Sequence, residues 1–202
     1  MPVLSFKERL ELLEQDLKST PPAFTMASDL PFAIFRYDPS HPDEGEWRVR
    51  REIHLLATRV QNATGKRVHL QSLAKLYWRS IEESEGVAEI VALEKSRGFA
   101  AAEEQVNTYL SDPEWRSLPE LLVEATAGMQ PASDLVFLYR AGVFAPSSYR
   151  LSSLLEQMLG KMTIPAVLFY PGTWRGSLNF MGLRSDEEPL GSYRVKIYGR
   201  DS

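Results

Sequence analysis

Apolar positions along this chain fall into two kinds of pattern that alternate with one another. Short dense runs occur at Leu30-Pro31-Phe32-Ala33-Ile34-Phe35-Arg36-Tyr37, at Leu135-Val136-Phe137-Leu138-Tyr139 and at Ala166-Val167-Leu168-Phe169-Tyr170. Runs of that length, closed by abrupt polar, proline or glycine turns, predict buried strands. Between the second and third run lies an amphipathic stretch at 147–159, which completes a β-α-β unit. The chemistry of such units sits where the strands end.

The remaining apolar residues recur at helical spacing. Ser5 and Glu8 make a capping box ahead of Leu10, Leu13 and Leu17, so residues 5–18 form a first helix, which Pro21-Pro22 stops. Residues 43–62 carry Ile53, Leu55, Leu56 and Val60, and Gly65 ends that helix before a short strand at 68–70. Stretches 72–84 and 86–111 read as helical. Gly98 weakens the longer one by about 1 kcal/mol relative to alanine and predicts a break or a kink there. Pro113 ends it, and Pro119 sits near the first turn of a helix over 118–128. Finally 177–183 and 193–198 alternate as antiparallel edge strands should, separated by an acidic loop at 185–188. The whole predicts one α/β domain over residues 1–202, with the 5–18 helix packed on its core. Its sheet is mostly parallel and flanked by helices in Rossmann-like layers, with an antiparallel C-terminal edge.

Composition narrows the function without naming it. A net charge of −4 over 202 residues gives no global pull toward nucleic acid or anionic membrane. The absence of cysteine excludes disulfides, thiolate nucleophiles and Cys-based zinc sites. Charges stand where a signal peptide needs an apolar stretch, and no run approaches the roughly 20 apolar residues of a membrane span. The expectation is a soluble, cytoplasmic protein. Charge is unevenly placed, however. From Trp47 to Arg67 there are six basic residues against Glu52; from Glu82 to Glu124 there are eleven acids against Lys95, Arg97 and Arg116. Such runs are solvated helix faces in the plain reading, and in the sharper one the acidic layer docks a basic partner. Direct DNA binding by the basic helix is disfavoured, since it lacks interleaved aromatics.

Catalytic motifs are refused one by one. Ala63-Thr64-Gly65-Lys66-Arg67 fails as a phosphate loop, lacking the first glycine, the Ser/Thr and the preceding strand. His41, His54 and His69 have no ligand spacing, so neither a metal nor a cofactor is expected. Two loops at strand ends remain. Arg140-Ala141-Gly142 follows one strand, with Pro146-Ser147-Ser148 beginning the next helix and Tyr149-Arg150 in its first turn; a phosphate or carboxylate would suit them, while in the plainer reading Arg140 pairs with an internal acid and Ser147 merely caps. Tyr170-Pro171-Gly172-Thr173-Trp174 carries proline and glycine placed for a type II turn, which would leave two aromatics projecting. Arg140, Tyr149, Arg150, Tyr170, Gly172, Thr173 and Trp174 are thus the candidate binding residues. Asp38, the one acid placed to join them, lacks a base or nucleophile beside it.

The order of these residues resembles one family. Phe137-Leu138-Tyr139-Arg140-Ala141-Gly142, Ala145-Pro146-Ser147-Ser148-Tyr149-Arg150-Leu151, Pro165–Thr173, Asn179-Phe180-Met181-Gly182-Leu183 and Gly191–Gly199 are similar to blocks of the BrxB family. That family is a small component of BREX bacteriophage-exclusion systems. The resemblance implies antiviral defence in a complex with other BREX proteins, with the phosphatase-superfamily protein PglZ named first and the methyltransferase and AAA+ ATPase components behind it. It carries over no catalytic residues. A non-enzymatic adaptor is the expected function; the alternative is a sensor or enzyme binding a nucleotide or phosphate at the strand ends.

Overall fold

In the computed structural model of the protein, residues 4–26, 31–145, 147–174, 176–182 and 195–199 are described. They fall into two compact units, the first within Met1–Gln71, Gly128–Gly142 and Thr163–Ser202, the second within Ser72–Ala127 and Val143–Met162.

The first unit holds α1 (Phe6–Lys18), β1 (Phe32–Tyr37), α2 (Glu46–Thr64), β2 (Arg67–Ser72, its last residue passing into the second unit), β3 (Asp134–Tyr139), β4 (Ala166–Trp174), β5 (Leu178–Phe180) and β6 (Lys196–Tyr198). The capping box forms as the sequence predicts: the Ser5 hydroxyl accepts from the Glu8 N–H, and the Glu8 carboxylate accepts from the Ser5 N–H. Gly65 ends α2 in the left-handed region at φ 71°, a conformation that is cheap only for glycine. Lys66 beside it donates its ammonium to the Ser19 and Leu17 carbonyls at the end of α1, a structural role that replaces any phosphate loop.

The sheet runs β2-β3-β4-β1-β6, with β5 paired to β4 off this path. β1 and β4 pair in parallel from Phe32↔Ala166 to Tyr37↔Pro171, and β3 pairs with β4 in parallel through Leu138↔Leu168. Every residue of β1 is buried, which explains its unbroken apolar run. Ala33, Phe35 and Tyr37 share a core with Phe137, Val167 and Phe169 and with Leu10, Leu13, Leu17, Ile53, Leu56 and Val60 of the two helices. The Phe35 and Phe137 rings each lie within 5.5 Å of Phe169.

The mostly parallel sheet matches expectation, but its C-terminal edge does not. β6 lies parallel to β1, with Ala33↔Lys196 and Phe35↔Tyr198 in register. An antiparallel pair joins β5 to the far end of β4 instead. Alternating polar and apolar residues mark an edge strand but not its direction, so the pattern could not separate the two cases. The predicted loop at 185–188 and the beginning of the predicted 193–198 strand lie outside the described residues.

The second unit is helical: α3 (Leu73–Ser84), α4 (Val87–Arg97), α5 (Phe99–Ser111), α6 (Leu118–Ala125) and α7 (Leu151–Gln157). The long 86–111 stretch does break at Gly98, which has φ 86° and separates α4 from α5. Residues 147–159 form a much shorter helix than the amphipathic pattern predicts. Ser147 does not cap it; its hydroxyl donates to the Phe144 carbonyl, and Arg150 occupies the cap position.

Candidate functional site

Parallel register brings the strand ends of the first unit to one edge. Arg36 stands opposite Tyr170 and Tyr37 opposite Pro171, while Leu138 is level with Leu168. Asp38, Arg140 and Gly199 therefore all leave the sheet at the same end, where β4 continues through Gly172 to Trp174.

Arginines buried at this end hold it together. Arg36, the next-to-last residue of β1 and buried, donates Nε to the Gly199 carbonyl at 2.6 Å and a second nitrogen to the Gly172 carbonyl at 3.4 Å. Arg9 of α1 donates to the Arg36 carbonyl at 2.5 Å and pairs with Glu44; their side chains are only 4% and 9% exposed. Glu44 also accepts from the Asp38 N–H at 2.8 Å, so one carboxylate fixes both the arginine and the first turn after β1. The Arg9 guanidinium lies 5.7 Å from the Phe35 ring centroid. A Cβ at Gly199 would meet an Arg9 nitrogen at 2.7 Å, so glycine is what lets the end of β6 approach the pair. The sequence reading missed this network. Its signal was an arginine inside each apolar pattern: Arg36 within the first strand run and Arg9 beside Leu10 on the buried stripe of α1. A mixed-charge cleft of about 560 Å³ opens beside it, with Lys7, Asp38, His41 and Asp43 in its wall.

The candidate residues are placed as follows. Arg140 is exposed, has φ 61°, and makes no hydrogen bond or ion pair among the described residues. A left-handed arginine costs roughly 1–2 kcal/mol. Pro171-Gly172 makes no type II turn, because β4 runs straight through it to Trp174. Gly172 pairs with Phe180, and a Cβ there would lie 2.2 Å from the Asn179 carbonyl oxygen; its glycine serves this close approach. Tyr170 accordingly does not project. It is 5% exposed and meets Phe180 edge-on at 5.6 Å between ring centroids. Thr173 and Trp174 are half-buried and pair with Asn179 and Leu178. In the second unit, Tyr149 is 6% exposed against Phe144, and burial pushes its hydroxyl well above the usual phenol range. Arg150 is exposed. Arg140, Thr173, Trp174 and Arg150 thus keep reachable surface, while Tyr149, Tyr170 and Gly172 are enclosed.

At the opposite end of the sheet, Asp134 is fully buried at the start of β3. It accepts from Arg67 at 2.7 Å, from the Gln130 N–H at 2.8 Å and from Ser133 at 3.0 Å, and lies 2.7 Å from His69 Nε2. Burial raises its pKa, but these bonds outweigh burial and hold the carboxyl well below the usual aspartate range. This cluster joins β2 to β3 and faces no strand-end crevice. Among the described residues, no group of three or more His, Cys, Asp or Glu could hold a metal ion, and no helix is long and apolar enough to cross a membrane.

The fold and its site define an α/β protein with a mostly parallel sheet whose strand ends are braced by buried arginines and present an exposed, left-handed one with no partner among the described residues. A family model described as BREX protein BrxB matches residues 70–196, and the chain belongs to the BrxB family. It is therefore a component of BREX bacteriophage-exclusion systems. No curated protein and no solved structure matches it.

Proposed function

We propose that the protein is a non-catalytic binding subunit of a BREX complex, with PglZ as its first partner and Arg140 at the contact. The observation that carries this reading is Arg140 itself. Its backbone is held in a costly conformation, its side chain is exposed, and nothing among the described residues uses its charge. Strain of this kind concentrates where a binding surface is pre-set, and arginine is among the residues that dominate protein interfaces. Thr173 and Trp174, at the same end of the sheet, extend the surface. β6 adds a second route, since it ends the sheet order and an edge strand accepts a partner strand.

The test is co-purification with PglZ followed by titration of Arg140→Ala and Trp174→Ala. Each change weakens the complex by about 2 kcal/mol if the residue is an anchor. Undiminished binding by both variants moves the contact elsewhere. A second reading draws on the same arginine, which would also suit the phosphate of a nucleotide. A thermal-shift screen with nucleotides separates the two: a stabilising ligand whose effect disappears in Arg140→Ala supports the second reading, and no shift across the panel removes it.

A further inference from the structure

The helical second unit carries a surface that the strand-end site does not use. α4 contains no buried residue, although six of its eleven positions are apolar in the sequence VAEIVALEKSR. Isolated helices this short are marginal in water and draw their stability from packing of an apolar face. α4 packs against α5 through half-buried Ile90 and Leu93, yet Val91 stays 41% exposed, and Phe99 at the start of α5 stays 60% exposed. Between the two helices runs a groove of about 490 Å³. Its floor is Ile90, Leu93 and Tyr109, Glu85 and Glu89 stand at one end, and Arg97 stands at the other.

Charge states what this groove accepts. The Tyr109 hydroxyl donates to Glu85, and burial together with that carboxylate pushes the phenol up to about 12. Glu89 in the groove wall, and Glu82, Glu94, Glu103 and Glu104 outside it on α3, α4 and α5, have no ion-pair partner among the described residues; nor do Lys95 and Arg97 on α4, which these acids outnumber. By contrast, the Glu83 and Glu124 carboxylates of the same unit are shared between Arg79 and Arg116. Glu85 and Glu89 at one end of the groove, backed by the unneutralised acids of the neighbouring helices, repel nucleic acid and anionic lipid and attract a basic polypeptide.

We propose that the α4–α5 groove binds a basic amphipathic segment of a partner protein. One apolar side chain of that segment lies on Ile90 and Leu93, and a lysine or arginine reaches Glu85 and Glu89. A helical segment fits best, because it would lie along two helices of 11 and 13 residues as a third. This inference rests on the adaptor reading and gives it a surface on the second unit.

The experiment uses the full chain and each purified protein encoded by the same BREX operon, titrated by calorimetry. Glu89→Lys reverses charge at the groove, and Ala92→Trp fills it; both positions are exposed on α4, so circular dichroism and melting should match the parent. The expected result is a complex of the parent chain that each variant weakens by about tenfold or more, with affinity falling as salt rises. Peptides tiling that partner should locate binding in a segment of net positive charge. A complex untouched by either variant, or located by the peptides in an acidic segment, overturns the groove assignment while leaving the adaptor reading standing. No complex with any operon protein overturns both.

Discussion

Single residues carry two opposed demands here. At Arg140 the left-handed backbone asks for glycine, while the exposed guanidinium is what a partner would grip. Arg140→Gly should therefore raise the unfolding free energy by about 1 kcal/mol and still lose the complex, whereas Arg140→Ala loses the complex without the gain. Chemical denaturation beside a binding titration checks both signs; a destabilised glycine variant would show that the arginine side chain supports the fold. Gly172→Ala should destabilise the chain by about 1–3 kcal/mol, because its Cβ would meet the Asn179 carbonyl. A variant as stable as the parent would mean that β5 does not lie against β4 as described. These sites differ in how far the sequence exposed them. The position of Arg140 at a strand end was legible because it follows an apolar run. The enclosure of Tyr170 was not, since a proline-glycine pair reads as a turn unless a paired strand such as β5 is already known to hold it extended.

At the level of elements, the helices and the central strands were readable because each carries its own periodicity and punctuation. Ser5 with Glu8, Gly65 and Gly98 mark ends wherever they occur. What was not readable depends on contacts distant in sequence: the direction of β6, and the arginine pair that ties α1, β1 and β6 together. Asp134 belongs to this level, since it locks β2 to β3. Its folded pKa lies below the unfolded value of about 3.9, so its contribution is complete above that pH and is lost as pH falls toward the folded value. Asp134→Asn should cost about 2 kcal/mol near neutrality, and its deficit relative to the parent should shrink in acid below pH about 4. Denaturant midpoints across pH measure this; a deficit that stays constant would mean the charge is not what stabilises the strand pair. Glu44→Gln tests the arginine brace. Leaving Arg9 buried without its counter-charge should cost about 3 kcal/mol or more, and a midpoint shift much smaller than that would mean water reaches the pair.

Taken whole, the molecule is a BrxB-family BREX component whose two units each offer a different surface. The parallel-sheet unit offers Arg140 and the neighbouring end of β4, and the helical unit offers an acidic groove. Both surfaces are proposed to hold another protein, and the buried charges at the strand ends, Arg9, Arg36 and Glu44, are already engaged in bracing the fold. The central claim is that this chain works by binding within a BREX complex. It is tested most directly by mixing the purified chain with purified PglZ at micromolar concentration and measuring the molar mass of the eluting species by light scattering after size exclusion. The account predicts a joint peak of defined stoichiometry that Arg140→Ala dissociates in large part. Two separate peaks at their individual masses, for the unaltered chain, would contradict it.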